Sequence, residues 1–225
     1  MKHIALLTTL LLSASLQAVE KPYDYVFFEN SLMKGDYFYS QAKYTSPSWI
    51  KNARHHLPVA GSVAFTPGNS LELTYVSAPG GDWYSEIQYC PVRGNDFFRE
   101  PSTLSMQVRL RESMNAAALP NIAIRYADST YTQYLNLRNY LKDTRPGVWH
   151  SVSIPLEDFG LNAVNDTNIK KLAAVALRPG TADGNEYTIY LDDIELLPAS
   201  LPSVSALNAP VLQEAKAYER HIDIK

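Results

Sequence analysis

Cysteine is nearly missing from this sequence: Cys90 stands alone among 225 residues, so no disulfide can form within the chain and a disulfide-stapled scaffold is excluded. A surplus of charge is missing too. The formal net charge is −3, with 19% charged residues, which gives no electrostatic reason to expect a nucleic-acid partner. The usual catalytic signatures are also lacking. There is no G-x-S-x-G elbow, H-E-x-x-H pair or phosphate loop, and no base is identifiable beside Cys90. The adjacent His55 and His56 have no second set of ligands at zinc spacing.

Long apolar runs are confined to the start. MKHIALLTTLLLSASLQA has a basic beginning at Lys2 and His3, an apolar stretch to about Leu12 and a small residue at Ala18, the layout of an export signal. The apolar part is too short to span the roughly 30 Å of a bilayer core. The expectation is therefore cleavage after residue 18, export to the periplasm or the medium, and no membrane partner afterwards.

What is present is abundant tyrosine, 15 residues, and short apolar-alternating runs. These lie around 70–76, 83–89, 103–111, 121–126, 132–138, 148–154, 171–178 and 187–197, after a first strand ending at Phe28. Turn signals separate them: PGN at 67–69, APGGD at 78–82, RPG at 145–147, RPG at 178–180 and ADGN at 182–185. This spacing predicts an all-β protein, a β-sandwich or barrel of about eight to ten antiparallel strands. Helix is expected only in short turns such as PLEDFG, 155–160, and the stretch 32–57 reads as a long loop. The expected divisions are a signal peptide at 1–18, a β domain at 19–198, a Pro/Ser/Ala-rich linker at 199–209, and at 210–225 either a tail or the first strands of a further, fibronectin type III-like domain. The chain would then be the N-terminal piece of a longer polypeptide, and a monomer.

Within the strands, the outward positions hold the candidate binding residues. Tyr84, Glu86 and Gln88 face away from Ile87, Arg125 faces away from Ile122 and Ile124, and Tyr134, Asn136 and Arg138 face away from Leu135 and Leu137. Aromatic rings stack on the apolar face of a sugar while amides and guanidinium groups bind its hydroxyls, so these seven residues could line a glycan groove on one concave sheet. The plainer alternative is a wet sheet face with cross-strand ion pairs of little value. Trp83 and Trp49 are further stacking candidates near loops, and Trp149 is expected in the core. Asp82, Glu86, Asp96 and Glu100 could serve a glycosidase, which needs two carboxylates across a cleft, but spacing does not show any pair converging.

Three stretches carry a resemblance: PGNSLELTYVSAPGGDWYSEIQY, then GVWHSVSIPLEDFG, then YTIYLDDIELL. In order and spacing they resemble the galactose-binding-domain-like β-jelly rolls of bacterial carbohydrate-active enzymes, with the W-x-x-V-x-I-P-L-x-x-F and Y-L-D-D-I-x-L patterns, over about Tyr23 to Leu197. The resemblance implies a noncatalytic carbohydrate-binding-like module, binding a polysaccharide or oligosaccharide and joined to downstream domains of a secreted glucoamylase-like or β-glucan-degrading enzyme. It leaves open a structural domain without sugar affinity and a jelly-roll glycoside hydrolase or lyase. It also implies a structural calcium held by Glu29, by Asp192 or Asp193, and by backbone oxygens near Gly68 to Ser70. That site would explain why two adjacent acids interrupt the last strand; a capped turn or a β-bulge would explain them without metal.

Overall fold

The computed structural model describes residues 25–89, 101–141, 143–161 and 171–198. The expected signal peptide, linker and C-terminal segment lie outside the described residues, as do Cys90, Asp96 and Glu100.

Among the described residues, twelve strands form two antiparallel sheets. In chain order they are β1 (Val26–Phe28), β2 (Ser40–Thr45), β3 (Trp49–Ile50), β4 (Val59–Ala60), β5 (Ser70–Val76), β6 (Asp82–Gln88), β7 (Pro101–Leu110), β8 (Asn121–Tyr126), β9 (Leu135–Asn136), β10 (Trp149–Pro155), β11 (Leu172–Arg178) and β12 (Glu186–Pro198). A seven-stranded sheet runs β10-β7-β12-β5-β3, with β1 on β12 and β4 on β5. A five-stranded sheet runs β2-β6-β11-β8-β9. The fold is an all-β sandwich, and the only helical turns among the described residues are three short 3-10 segments, one of them Leu156–Phe159 in the predicted PLEDFG turn.

Alternation decides which side chains meet between the sheets. Leu71, Leu73 and Tyr75 of β5 and Leu104, Met106, Val108 and Leu110 of β7 face Trp83 and Ile87 of β6, Ile122 and Ile124 of β8, and Val175 and Leu177 of β11, all fully or almost fully buried. Tyr75 and Trp83 pack across the gap with ring centroids 4.8 Å apart. Trp83 is 1% exposed and donates through Nε1 to Ser77 Oγ, so it belongs to the core and is no stacking platform. Trp149 reverses its expectation as well. Val152 and Ile154 point inward on β10, which turns Trp149 to the outer face of the seven-stranded sheet.

Two other expectations change. The stretch 32–57 contains β2 and β3; only Ala42 and Ile50 of these short strands are apolar and buried, too little for a visible period. The stretch 132–138 yields strand only at Leu135–Asn136 before a 3-10 turn, Leu137–Asn139, that the Asn136 side chain caps by accepting from the Arg138 backbone N–H.

The acid pair in β12 sits at a bulge. Leu191 and Ile194 both point inward although three residues apart, the register with β7 shifts between Asp192 and Glu195, and Asp193 has φ of 44°. One extra residue in the strand permits this.

Candidate functional site

The outer face of the five-stranded sheet is built around a strand with almost no side chains on that face. On β11, Ala174 and Ala176 point outward, in register with Gln88 and Glu86 of β6 on one side and with Arg125 and Ala123 of β8 on the other. Strands two apart lie about 10 Å from each other. The alanines leave the space in which Glu86 and Arg125 reach over the middle strand and meet, Nε to Oε1 at 2.6 Å. The contact is a close ion pair rather than an aligned hydrogen bond, since Arg125 Nε has no well-angled acceptor. Glu86 is 1% exposed and also accepts from Gln41 Nε2 at 3.1 Å and from the Tyr131 hydroxyl at 3.1 Å. A buried carboxylate needs this many partners.

Beside this pair lies an aromatic cluster. The Arg178 guanidinium, at the end of β11, sits 5.6 Å from the Tyr84 ring centroid and 5.7 Å from that of Tyr134, within cation–π range of both. Its Nε donates to the Tyr134 hydroxyl at 3.1 Å and its NH1 to Asp82 Oδ2 at 3.3 Å. Tyr131 stacks on Tyr134, centroids 6.0 Å apart, and its hydroxyl lies 3.4 Å from that of Tyr84. Burial, then the hydrogen bond to Glu86, holds the Tyr84 phenol far above the ordinary tyrosine range, so it stays a neutral hydroxyl. Tyr134 is 36% exposed.

Of the seven residues expected to bind sugar, Tyr84, Glu86, Arg125 and Tyr134 come together here, with Gln88 in the row of Arg125. Asn136 is spent on structure: its Nδ2 donates to Leu119 O and Asn121 Oδ1, both at 3.0 Å. Arg138 is exposed in the 3-10 turn, off the sheet. Sequence reasoning missed Tyr131, Arg178 and Gln41, and considered Asp82 only as a glycosidase carboxylate. Arg178 had a signal, because it continues the outward phase of Ala174 and Ala176. Tyr131 had none, since the Asp128–Thr130 turn that folds it back is stabilised by the Asp128 carboxylate accepting from Thr130 N and Oγ1.

The side chains implied as calcium ligands have other partners in the structure. Asp192 is 0% exposed; its Oδ2 accepts from the backbone N–H of Phe65 at 2.7 Å and Thr66 at 3.3 Å, and its Oδ1 from Asp193 N at 2.9 Å. Asp193 Oδ2 accepts from Thr66 Oγ1 at 2.7 Å. N–H groups aimed at these oxygens repel a cation, and calcium wants roughly six to eight free oxygens. Asn30 Oδ1 nearby is buried without a partner, but one oxygen does not make such a shell. Among the described residues no three His, Cys, Asp or Glu side chains, Glu29 included, are grouped to hold a metal. The aspartates do not fit as calcium ligands; they tie the 65–66 loop to the bulge.

The carbohydrate binding domain 30 family matches residues 24–197. The chain belongs to that family. As a family 30 carbohydrate-binding module it is noncatalytic. Among solved structures it is similar to a β-1,2-glucanase from Parabacteroides distasonis, with 99% identity over 87% of this chain and 28% of that one, TM-score 0.79; the chain therefore spans under a third of that protein's length. The family 30 module of a cellulosomal cellulase from Clostridium thermocellum shares the fold at 18% identity, covering 79% of this chain and 99% of that one, TM-score 0.58. A family 11 module from Clostridium thermocellum, solved with a β-1,3-1,4-mixed-linked tetrasaccharide, is 12% identical over 72% of this chain and 91% of that one, TM-score 0.50.

Proposed function

We propose that the outer face of the five-stranded sheet is the glucan-binding face of this module, and that the module holds a β-glucan-degrading catalytic unit of the same exported polypeptide against its substrate. The observation that carries this reading is the Arg178 guanidinium held between Tyr84 and Tyr134 beside a stacked Tyr131. Tyr134 supplies a rigid ring for the apolar side of a glucose unit, while Arg178 and Asp82, both partly exposed, supply a donor and an acceptor for its hydroxyls. The buried Glu86–Arg125 pair beneath fixes the strands that carry them. The 99% identity to part of a β-1,2-glucanase supports β-1,2-glucan as the first polysaccharide to try.

Tyr134→Ala and Arg178→Ala test the reading by affinity electrophoresis through β-1,2-glucan and mixed-linkage glucan. Each is expected to lose about 1–3 kcal/mol of binding with an unchanged melting temperature. Retardation equal to that of the unsubstituted chain would remove this face from consideration and favour a structural role without sugar affinity.

A further inference from the structure

The seven-stranded sheet has an outer face of its own, and its margin is unlike an ordinary wet sheet surface. Strands β10 and β7 set three outward pairs in register there: Ser153 opposite Ser105, Ser151 opposite Gln107, and Trp149 opposite Arg109. None is acidic and only the last pair is charged. Ser151 Oγ donates to Gln107 Oε1 at 3.0 Å, whereas Arg109 Nε is buried with no hydrogen-bond partner in the described structure. An unmet donor of this kind is costly. Over Trp149 stands Phe65, 49% exposed, its ring edge-on with centroids 6.0 Å apart and planes at 70°.

Phe65 is not there by loose packing. The loop that carries it is pinned by the buried Asp192 carboxylate through the N–H groups of Phe65 and Thr66, and by Asp193 through the Thr66 hydroxyl. Burying a carboxylate costs free energy, and what this one holds in place is an exposed aromatic ring against an outward tryptophan.

We propose that this margin is a second glucan-binding platform, with Trp149 and Phe65 as the stacking corner and the Ser151, Ser153 and Gln107 side chains as the hydroxyl-binding strip. A neutral polyol suits it better than a protein partner does. The aromatic corner is small, and it continues into a strip of hydroxyl and amide side chains whose complement is a row of sugar hydroxyls. The proposal rests on the reading of the chain as glucan-binding, but not on which sheet binds. Two faces on opposite sides of one sandwich would let the module bridge neighbouring glucan chains, so that avidity on a polymer exceeds the affinity of either face.

The test is affinity electrophoresis of the full chain through β-1,2-glucan, mixed-linkage β-1,3-1,4-glucan and hydroxyethyl cellulose. The variants are Trp149→Ala with Phe65→Ala, Tyr134→Ala with Arg178→Ala, and all four together; Trp149→Phe, which keeps a ring, controls for unfolding. Each pair is expected to weaken retardation about 5-fold or more, Trp149→Phe to restore most of what Trp149→Ala loses, and the fourfold variant to abolish it. A Trp149/Phe65 variant retarded like the unsubstituted chain overturns the second platform and leaves the first face standing. If the Tyr134/Arg178 variant is unaffected while the Trp149/Phe65 variant loses all retardation, the second face holds and the first reading fails. An unsubstituted chain that no polysaccharide retards overturns both.

Discussion

Glu86 and Arg125 meet at 2.6 Å across a strand to which neither belongs. They can do so because Ala174 and Ala176 leave the middle of the face empty. The Arg125 side chain is 16% exposed and that of Glu86 1%, so solvent screens the pair little. Arg125→Met strands a buried carboxylate and is expected to cost about 3–5 kcal/mol. Adding Glu86→Gln should return part of that loss. Chemical denaturation of the two variants checks the order; a double variant no more stable than Arg125→Met would mean that the pair is not the coupled unit described.

Much of this face was legible beforehand. The outward phase of 83–89 and 121–126 follows from period-2 alternation against Ile87, Ile122 and Ile124, and those positions held. What alternation cannot show is a residue's use once outward. Asn136 lies in the expected phase, yet its amide locks β9 to the turn before β8. Tyr131 reaches the site through a turn with no period at all. Trp149 was misassigned because a tryptophan at the head of an apolar strand reads as core, whereas Val152 and Ile154 fix the opposite phase. The Asp192–Asp193 doublet was visible as an interruption, but the sequence does not carry the loop at 65–66 that it binds, 126 or more residues away.

Gly180 and Gly81 are expected to resist substitution, for reasons of space. A Cβ on Gly180 would lie 2.2 Å from Leu119 O and 2.7 Å from Ala117 O; one on Gly81 would lie 2.2 Å from Ser48 N. In both cases the obstacle is backbone, which cannot rotate away. Gly180→Ala should lower stability by about 1–3 kcal/mol or more and, two residues from Arg178, also weaken glucan binding. A melting temperature within error of the unsubstituted chain would show that the 117–119 turn can shift.

Chelation gives a direct reading on calcium. Because both Asp192 oxygens and Asp193 Oδ2 accept from N–H and O–H donors, excess EDTA followed by added calcium should leave the melting temperature unchanged. A ligand bound only by the folded state raises stability by mass action. A fall on chelation that calcium reverses would therefore show a site built from other oxygens, with Asn30 Oδ1 the first to substitute.

The same aspartate makes stability depend on pH. Burial is the largest influence on Asp192 and, with the neighbouring Asp193 charge, outweighs the backbone N–H of Phe65, pushing its carboxyl up to about 6 from the usual 3.8. A folded-state value above the unfolded one means that the folded chain binds the extra proton. The resulting stabilisation is complete below about pH 4 and is lost as pH rises through about 6. The shift of about two units bounds the effect at about 3 kcal/mol. Denaturation between pH 4 and 7 should therefore show this contribution declining as pH rises, and Asp192→Ala should remove it while freeing the 65–66 loop. The coupling to the aromatic corner gives a second readout. If Asp192 holds Phe65 on Trp149, Asp192→Ala should shift Trp149 fluorescence toward that of Phe65→Ala, and a variant with unchanged emission would separate the carboxylate from the ring it is argued to position.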